Sequence, residues 1–399
     1  MAEVPWLTII GLGEDGPEGL SPASRQALDE AEVVMGASRL LALLPALTAE
    51  TQAWPVPFAE GIPKLLNLRG RRVVMLASGD PFWFGAGTIL AEQLEAGEWR
   101  ALPAPSSLSL AAARLGWPLE RTPCLALHAA PFARLRPHLA SGAKLLVLLR
   151  DGTAVGQLAA WLAERGFGPT ELWVMEALGG PRERLRRATA ETMTLADIHH
   201  PVCVGLQIAG DGRAIPTASG RPDDFFDHDG QITKRPLRAL TLSALAPVAG
   251  AHLWDIGAGA GSVGIEWLLC HPANRATAIE TRPDRAARIR SNAETLGVDR
   301  LEVIEGQAPE ALETLPVPDA VFIGGGLSDA LLTDLWSRLP AGTRLVSNAV
   351  TLESESLLTA WQARKGGSLL RIDLSEAGPL GSKRSWHAAY PLVQWSVTL

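Results

Sequence analysis

The sequence predicts an α/β protein built from two differently organised domains, on three observations. Strand-like apolar runs alternate with helix-like segments along most of the chain, as in sheets covered by helices. Glycine-rich turns follow apolar strands in both halves, but the turns differ in sequence and position. Residues 210–231 interrupt the alternation and are rich in Gly, Pro and Asp, which is typical of interdomain connections. We therefore expect domains at residues 1–212 and 231–399, joined by a linker at residues 213–230.

The first half opens with an apolar run at residues 6–10 that ends at Gly11 and predicts a buried strand. A helix is predicted at residues 21–28, because Ser21 suits the N-cap and Pro22 the first helical position. The other predicted elements of this half are strands at residues 73–77, 144–149 and 171–175 and helices at residues 106–115 and 154–165.

The second half alternates more regularly. Its predicted strands are residues 251–256, 275–280, 301–304, 320–323 and 343–347, with helical stretches between them. This order predicts a doubly wound, mainly parallel sheet of the Rossmann type. The β-rich run at residues 391–398 is expected to add an edge strand.

The composition restricts the class of protein. The chain is 47% hydrophobic and 20% charged, as globular proteins are, and its net charge of -7 offers no basic field for nucleic acid. The three cysteines are scattered, without the spacing of a metal site. The N-terminal sequence MAEVPWLTIIGLG lacks a basic leader, and no uncharged run reaches the roughly 18 residues of a membrane span. We expect a cytoplasmic protein without a metal, a membrane anchor or a nucleic-acid partner.

The most informative motif is LWDIGAGAGSVGIE at residues 253–266, a strand that runs through a glycine-rich turn into a helix. Glycines allow a tight turn and close approach to a ligand, and the helix N-terminus offers free N–H groups. Glu280 ends the next apolar run, where it can hydrogen-bond a ribose. The polar turn after the third strand can bind an adenine amine. The predicted cofactor-binding residues are Asp255, Gly257, Gly259, Gly261, Ser262, Glu280, Gly306, Gln307 and Ala308.

Two cofactors are compatible with this motif. Gly259, Gly261 and Gly264 match the GxGxxG fingerprint of dinucleotide-binding proteins, so a dinucleotide-dependent oxidoreductase is one hypothesis. Asp255, placed to hold an ammonium or amide group, and the polar turn at residues 305–309 favour S-adenosylmethionine instead.

The second half also resembles a known family. The segments QITKRPLRAL, WDIGAGAGSVGIE, PDAVFIGGG and NAVTLE, all after residue 229, resemble the C-terminal domain of decarboxylating precorrin methyltransferases. They are also similar to the free-standing cobalt-precorrin methyltransferases that correspond to that domain. NAVTLE, at residues 348–353, is the most specific segment. The resemblance supports S-adenosylmethionine as the cofactor and makes Lys234, Asn348 and Glu353 candidate catalytic residues.

A second cofactor site is predicted in the first half. The turn Ser78-Gly79-Asp80-Pro81 and the glycines at 11 and 13 each follow a strand, and two serines begin a helix. Together they resemble the tetrapyrrole methylase family, whose members bind S-adenosylmethionine between two α/β subdomains. The loop at residues 103–105 departs from the family's usual sequence, and Asp80 is alternatively a turn former before proline. The cofactor-binding residues implied by the resemblance are Gly11, Gly13, Gly79, Asp80, Pro81, Ser106 and Ser107.

The whole chain is thus similar to the fused precorrin methyltransferases of vitamin B12 (cobalamin) synthesis. The resemblance implies a tetrapyrrole-methylase fold of two α/β subdomains followed by a Rossmann-like methyltransferase sheet, each binding one S-adenosylmethionine. It further implies methylation of precorrin-6Y at carbons 5 and 15, decarboxylation of the ring-C acetate, and a homo-oligomer. An alternative is that one half is catalytic and the other only senses S-adenosylmethionine.

Precorrins carry many carboxylates, which Arg binds bidentately and Lys as a point charge. Candidate substrate-binding residues lie just before the second glycine motif and in a later loop beside Trp386 and His387. They are Thr233, Lys234, Arg235, Arg238, Lys383 and Arg384. Solvated surface charge is the alternative for Arg238 and Arg384. The basic run at residues 182–187 is expected to be an exposed helix or turn face.

Histidines and one tryptophan add further candidates. His128 follows a strand, at a position that resembles a substrate-facing loop of the family, and is a candidate catalytic residue. His199 and His200 are adjacent and cannot share one face of a strand or helix, which favours a structural role. Trp83, beside the SGDP turn, is expected to pack in the core or, alternatively, to contact the cofactor or the tetrapyrrole macrocycle.

Overall fold

The computed structural model of the protein describes residues 5–399. The sequence-based expectation about a leader rests partly on residues 1–4, which lie outside the described residues. Contacts divide the chain into two units. The first comprises the described residues up to Phe132 together with His138–Arg213, and the second comprises Ala133–Pro137 together with Ala214–Leu399.

The first unit contains a parallel sheet in the order β3-β2-β4-β1-β5. Its strands are β1 (Leu7–Leu12), β2 (Val33–Gly36), β3 (Glu50–Ala53), β4 (Val73–Ser78) and β5 (Trp99–Leu102). Helices α1 (Pro22–Asp29), α2 (Ser38–Leu41), α3 (Gly61–Leu66) and α4 (Ala86–Ala91) connect them. Leu7 and Ile9 pack in one apolar cluster and Ile10 and Leu12 in another, because alternate side chains of β1 point to opposite faces. Both faces of this sheet are therefore buried.

The same unit contains a second, mixed sheet in the order β6-β7-β10-β8-β9. Its strands are β6 (Cys124–Ala126), β7 (Lys144–Leu149), β8 (Glu171–Glu176), β9 (Arg184–Thr189) and β10 (Val202–Gln207). Helix α5 (Ser107–Leu115) precedes this sheet, and α6 (Gly152–Glu164) joins β7 to β8. Only β6 and β7 pair in parallel.

The basic run at residues 182–187 corrects one prediction, since most of it belongs to strand β9 rather than to an exposed helix or turn. Arg184 and Arg186 both bind the carboxylate of Glu176 on the neighbouring strand β8, and that carboxylate is buried. The period of two that places these arginines on one face is a strand pattern. The prediction was wrong because the counter-charge lies outside the run itself.

The second unit is built on a seven-stranded sheet in the order β13-β12-β11-β14-β15-β19-β16. The strands are β11 (His252–Ile256), β12 (Arg275–Glu280), β13 (Glu302–Glu305), β14 (Ala320–Ile323), β15 (Arg344–Ala349), β16 (Ser368–Ile372) and β19 (Leu392–Thr398). The helices are α7 (Arg235–Leu245), α8 (Ser262–Cys270), α9 (Pro283–Thr295), α10 (Asp329–Arg338) and α11 (Leu352–Lys365). A separate hairpin pairs β17 (Ser375–Leu380) with β18 (Lys383–Ala388). The predicted α/β fold class, with its Rossmann-like C-terminal sheet, is confirmed by this strand order and its parallel pairings.

The last strand differs from its prediction. β19 is not an edge strand, because it pairs antiparallel with both β15 and β16, and β16 forms the edge. Most of β19 is buried whereas most of β16 is exposed, as expected for an interior and an edge strand.

The segment between Ala214 and Gly230 packs against the second unit. Ile215 and Phe226 lie in its apolar core, and Arg221 is buried. Gly220 and Arg221 donate backbone hydrogen bonds to the carboxylate of Glu266 at 2.8 and 2.9 Å. This Gly- and Pro-rich stretch is therefore anchored to the C-terminal sheet rather than extended through solvent.

Candidate functional site

A cavity of about 1050 Å³ opens in the second unit at the carboxyl ends of β11, β12 and β14. Doubly wound sheets bind ligands where the strand order reverses, and here β12 and β14 flank β11 on opposite sides. Predicted site residues that line the cavity are Thr233, Lys234, Gly257, Gly259, Glu280, Gly306, Gln307, Ala308 and Asn348.

The glycine-rich turn after β11 forms the floor of the cavity. Gly257 and Gly259 have φ values of +67° and +61°, which other residues rarely adopt. A Cβ atom on Gly257 would lie 2.6 Å from the Cα atom of Gly325, so two backbone turns touch here. Gly261 and Ser262 begin α8 beneath the turn, are buried and do not line the cavity. The turn therefore presents mainly backbone to a ligand, with the methyl group of Ala258 as the side chain between Gly257 and Gly259.

Glu280 joins this turn to the neighbouring strand. It is the last residue of β12 and is almost fully buried, yet its carboxylate reaches the cavity. One carboxylate oxygen accepts a hydrogen bond from the N–H of Gly259 at 2.9 Å, and the other accepts from the N–H of Arg282 at 3.1 Å. These bonds, with a further one from the hydroxyl of Thr281 at 3.4 Å, hold the carboxylate in place at the cavity lining.

Asp255 lies beneath the turn rather than in the cavity wall. The carboxyl group is buried, and one oxygen accepts a hydrogen bond from the N–H of Gly264 at 2.9 Å, while the other has no partner among the described residues. Burial raises the pKa of Asp255 to about 7, and the negative charge of Glu280 adds to the rise. In this position Asp255 holds the start of α8, and its protonation state sets the charge beneath the glycine-rich turn after β11.

Replacing Asp255 with asparagine should flatten the dependence of stability on pH. The carboxyl group has an ordinary pKa of 3.8 in the unfolded chain and about 7 in the folded one. Between these values the folded chain keeps a proton that the unfolded chain has lost, so the free energy of unfolding falls as pH rises from about 4 to about 7. An asparagine at this position cannot titrate, and thermal unfolding midpoints measured from pH 4.5 to 8 should show a smaller decline. Exposed Asp373→Asn is the control; parallel profiles for Asp255→Asn and wild type would contradict the prediction.

The cavity lining also carries polar side chains from distant parts of the chain. Thr233 and Lys234 precede α7, and Asn348 lies in β15. The amide of Asn348 is held on both sides, since its Nδ2 donates to the hydroxyl of Thr241 at 2.9 Å and its Oδ1 accepts from Gln394 at 3.0 Å. This network fixes the orientation of one amide at the cavity surface.

Sequence reasoning did not assign several cavity residues to the site. They are Ile232, Thr281, Arg285, Phe322, Gly324, Gly325, Gly326 and Tyr390. The three glycines carry the same signal as the first motif, since they directly follow a buried strand. Tyr390 lies after β18 and comes to the rim only through the pairing of the last strands, a contact that no local pattern indicates.

Other candidates lie outside this cavity. Arg235, Glu353, Lys383 and Arg384 are exposed and do not line it. Arg238 is a correction, because it is neither a substrate clamp nor surface charge but is fully buried. Its Nε donates to Glu266 at 2.7 Å and its Nη1 to Asp223 at 3.0 Å.

In the first unit, the three predicted motifs meet at the carboxyl ends of β1, β4 and β5. The N–H of Gly79 donates to the carbonyl of Leu12 at 3.0 Å, and its carbonyl accepts from Ala104 at 3.2 Å. A Cβ atom on Gly11 would overlap the carbonyl oxygen of Gly79, and Gly79 has a φ of +61°. The turns that follow these strands thus approach one another at backbone level.

The remaining N-terminal candidates surround these turns. Asp80 accepts a hydrogen bond from the N–H of Phe82 at 2.8 Å, the turn-forming contact considered above. Ser106 caps α5 by accepting from Ser109 at 3.1 Å. Pro81 is buried, whereas Gly13 and Ser107 are half-buried. His128 is exposed after β6, so its catalytic role remains a prediction.

Residues 5–399 contain neither a metal-ligand cluster nor a membrane-spanning helix. Within this range, no group of three or more His, Cys, Asp or Glu side chains could hold a metal ion. None of the helices described here is both long and apolar enough to cross a membrane.

Comparison with known proteins matches both units to methyltransferase families. Residues 6–194 match the tetrapyrrole (corrin/porphyrin) methylases, and residues 224–399 match the precorrin methyltransferase domain. A Sinorhizobium protein named precorrin-6Y C(5,15)-methyltransferase (decarboxylating) is 49% identical over 99% of this chain and 96% of its own length. A Salmonella typhimurium protein named cobalt-precorrin-6B C(15)-methyltransferase (decarboxylating) is 34% identical over 38% of this chain and 80% of its own length. The crystal structure of the C-terminal domain of precorrin-6Y C5,15-methyltransferase from Rhodobacter capsulatus, 55% identical, covers 46% of this chain and all of that domain with a TM-score of 0.45.

The fold and the two family matches define a methyltransferase made of two different methyltransferase domains. This class implies S-adenosylmethionine as the methyl donor. The relative that spans nearly the full length shows the family: the chain belongs to the precorrin-6Y C(5,15)-methyltransferases (decarboxylating). The predicted family and enzyme class are confirmed, and the hypothesis of a dinucleotide-dependent oxidoreductase is set aside.

Proposed function

We propose that this chain methylates precorrin-6Y at carbons 5 and 15 and removes the carboxylate of the ring-C acetate. The N-terminal domain, residues 1–212, methylates carbon 5. The C-terminal domain, residues 231–399, methylates carbon 15 and releases carbon dioxide. Each domain binds one S-adenosylmethionine, and the chain works as a cytoplasmic homo-oligomer. The observation that carries the proposal is the pair of backbone turns in each unit, combined with the near full-length similarity to a protein of that name.

The C-terminal cavity suits S-adenosylmethionine. Gly257 and Gly259 present backbone without side chains of their own, and Glu280 presents acceptors for the ribose hydroxyls. Gln307 follows β13, at the place assigned to the adenine. When bound, this cofactor supplies a sulfonium-activated methyl group, so transfer requires chiefly alignment with an electron-rich carbon.

The lining residues Lys234 and Asn348 are suited to hold and orient the tetrapyrrole. Lys234 is exposed at the rim, where its ammonium can pair with a substrate carboxylate. The amide of Asn348, fixed by Thr241 and Gln394, can present one N–H and one oxygen to the ring. A carboxylate placed against the apolar wall of Ile256 and Phe322 would lose water, which favours its departure as carbon dioxide with the electron pair passing into the ring.

Product analysis of the full-length chain tests which domain methylates which carbon. Gly79→Ala places a side chain at a φ of +61° and against the Cα atom of Ser106, at 2.9 Å. We expect this variant to bind one S-adenosylmethionine instead of two by calorimetry, and to give a product that lacks the methyl group at carbon 5. Gly97→Ala, in open space, is the control. If Gly79→Ala loses a binding event but its product is unchanged, the N-terminal site only senses S-adenosylmethionine and the proposal is wrong.

A further inference from the structure

Two arginines meet one buried carboxylate beside the glycine turn that follows β4. Glu14 lies two residues after β1 and pairs with Arg39 of α2 and with Arg182, whose Nη2 donates at 3.1 Å. Arg39 also donates to the hydroxyl of Ser78, at the end of β4, at 3.4 Å. Side chains from four separate stretches of the first unit therefore converge at this point.

Backbone packing fixes the position of this cluster. A Cβ atom on Gly180 would lie 2.6 Å from both the Cβ and the carbonyl oxygen of Glu14, so the connection between β8 and β9 lies directly on the Glu14 backbone. Arg182 follows two residues later. The distance between the arginines is thus set by the fold and does not depend on the ion pairs alone.

The cluster has two positive charges and one negative charge, and its two guanidinium groups are more exposed than its carboxylate. The side chain of Glu14 is 7% exposed, whereas those of Arg39 and Arg182 are 29% and 57% exposed. Two guanidinium groups share one carboxylate, and each guanidinium carries five N–H donors. Among the described residues Arg39 uses Nη1 and Nη2, and Arg182 uses Nη2, so donors remain for a ligand.

A neighbouring cluster in the same unit shows what a purely structural arrangement looks like. Glu176 is also buried and also binds two arginines, Arg184 and Arg186. Both of these arginines donate in addition to backbone carbonyl groups, those of Asp197 and Ala196. Arg186 uses all three of its nitrogens in such contacts, whereas Arg182, the most exposed of the four arginines at 57%, uses only Nη2 among the described residues.

Other nearby ionisable groups leave the positive charge in place. Asp151 pairs with Arg150 at 2.9 Å and accepts from the N–H of Ala154 at 2.9 Å, so its charge is engaged elsewhere. The pKa of His200 is lowered by burial and then by the positive charge of Arg39, which keeps its imidazole neutral near pH 7. The cluster therefore attracts an anion.

We propose that Arg39 and Arg182 bind a carboxylate group of the tetrapyrrole substrate in the N-terminal domain. This inference rests on the proposed function, which supplies a substrate with many carboxylates. Two guanidinium groups match the planar, bidentate geometry of a carboxylate. Ser78 links the cluster to Gly79, so the bound carboxylate lies next to the turn assigned to the cofactor. The carboxylate of S-adenosylmethionine has the same chemistry and is the other source to test.

The experiment compares Arg39→Gln/Arg182→Gln with Arg121→Gln/Arg187→Gln in the full-length chain. The control removes the same charge from exposed arginines of the same unit, with Arg187 59% exposed. We expect the KM for methylation of precorrin-6Y at carbon 5 to rise about tenfold, with little change in kcat. The KM at carbon 15 and the dissociation constants of S-adenosylmethionine should match the control, whereas the unfolding midpoint should fall, because the variant leaves the buried carboxylate of Glu14 without its two charged partners. The single variant Arg39→Lys, with Arg182 intact, should have a lower KM at carbon 5 than the double glutamine variant. Lysine keeps the positive charge but lacks the paired N–H donors of a guanidinium group.

A second readout does not depend on catalysis. An octacarboxylic porphyrin, titrated by absorbance, should bind the double glutamine variant about tenfold more weakly than the control at one of its sites, whereas its octamethyl ester should not distinguish them. Equal porphyrin affinities and equal KM values would overturn the inference. Weaker S-adenosylmethionine binding with an unchanged KM for precorrin-6Y would assign the carboxylate to the cofactor and also overturn it. A wild-type chain that does not methylate precorrin-6Y contradicts the proposed function, and the porphyrin titration then decides the carboxylate site by itself.

Discussion

Replacing Glu280 with alanine should weaken the binding of S-adenosylmethionine to the C-terminal cavity by at least about a hundredfold. The buried carboxylate is the only acidic side chain in the cavity lining of the described chain, and it is assigned to the ribose hydroxyls. Hydrogen bonds to a charged acceptor are worth about 1.5 to 3 kcal/mol each, so losing two costs about 3 to 6 kcal/mol, which is at least two orders of magnitude in affinity. The same change removes the acceptor for the N–H of Gly259, which loosens the turn.

Calorimetry on the full-length chain measures this effect, because the N-terminal site serves as an internal reference. One of the two expected binding events should weaken and the other should not. Glu294→Ala is a matched control, since Glu294 lies in α9, is exposed and lies outside the cavity lining. Equal affinities in Glu280→Ala and Glu294→Ala would show that Glu280 does not bind the cofactor.

Local patterns predicted the parts of this site that depend on neighbouring residues. The turn after β11 could be located because a buried strand, glycines with positive φ and a helix follow one another within a few residues. Glu280 could be found because parallel strands end at the same edge of a sheet. Its hydrogen bond to Gly259 spans 21 residues, but the regular strand–helix–strand unit places both groups together.

The site residues that were predicted wrongly or not at all depend on contacts between distant segments. Arg238 has the local features of a surface clamp, since it follows Lys234 and Arg235 in a basic stretch. Its burial is decided by Glu266, 28 residues away in a helix that was interpreted only as part of the glycine motif. The rim residue Tyr390 likewise depends on β19 entering the sheet between β15 and β16, and the order of strands cannot be obtained from periodicity.

Glu266→Gln should destabilise the C-terminal unit by about 3 to 5 kcal/mol, the cost of removing one partner from a buried ion pair. Glu266 binds Arg238 at 2.7 Å and Arg221 at 3.1 Å, and all three side chains are buried. Its oxygens also accept the backbone N–H groups of Gly220 and Arg221. Glutamine keeps the shape but removes the carboxylate that both guanidinium groups share, while Asp223 still pairs with Arg238. Because an amide carries its own N–H donors, it also meets these donors unfavourably.

The position of Glu266 makes this loss more than a local defect. The same carboxylate anchors the segment after Ala214 to the start of α7 and to α8, so its removal should also release that segment before the sheet unfolds. Urea unfolding followed by tryptophan fluorescence measures the free energy, and limited proteolysis at residues 214–230 measures the release. Asp334→Asn is the control, because its pair with Arg338 is only partly buried and should contribute less than about 1 kcal/mol. If both variants lose similar stability, the buried cluster does not hold the segment, and the apolar contacts of Ile215 and Phe226 must do so instead.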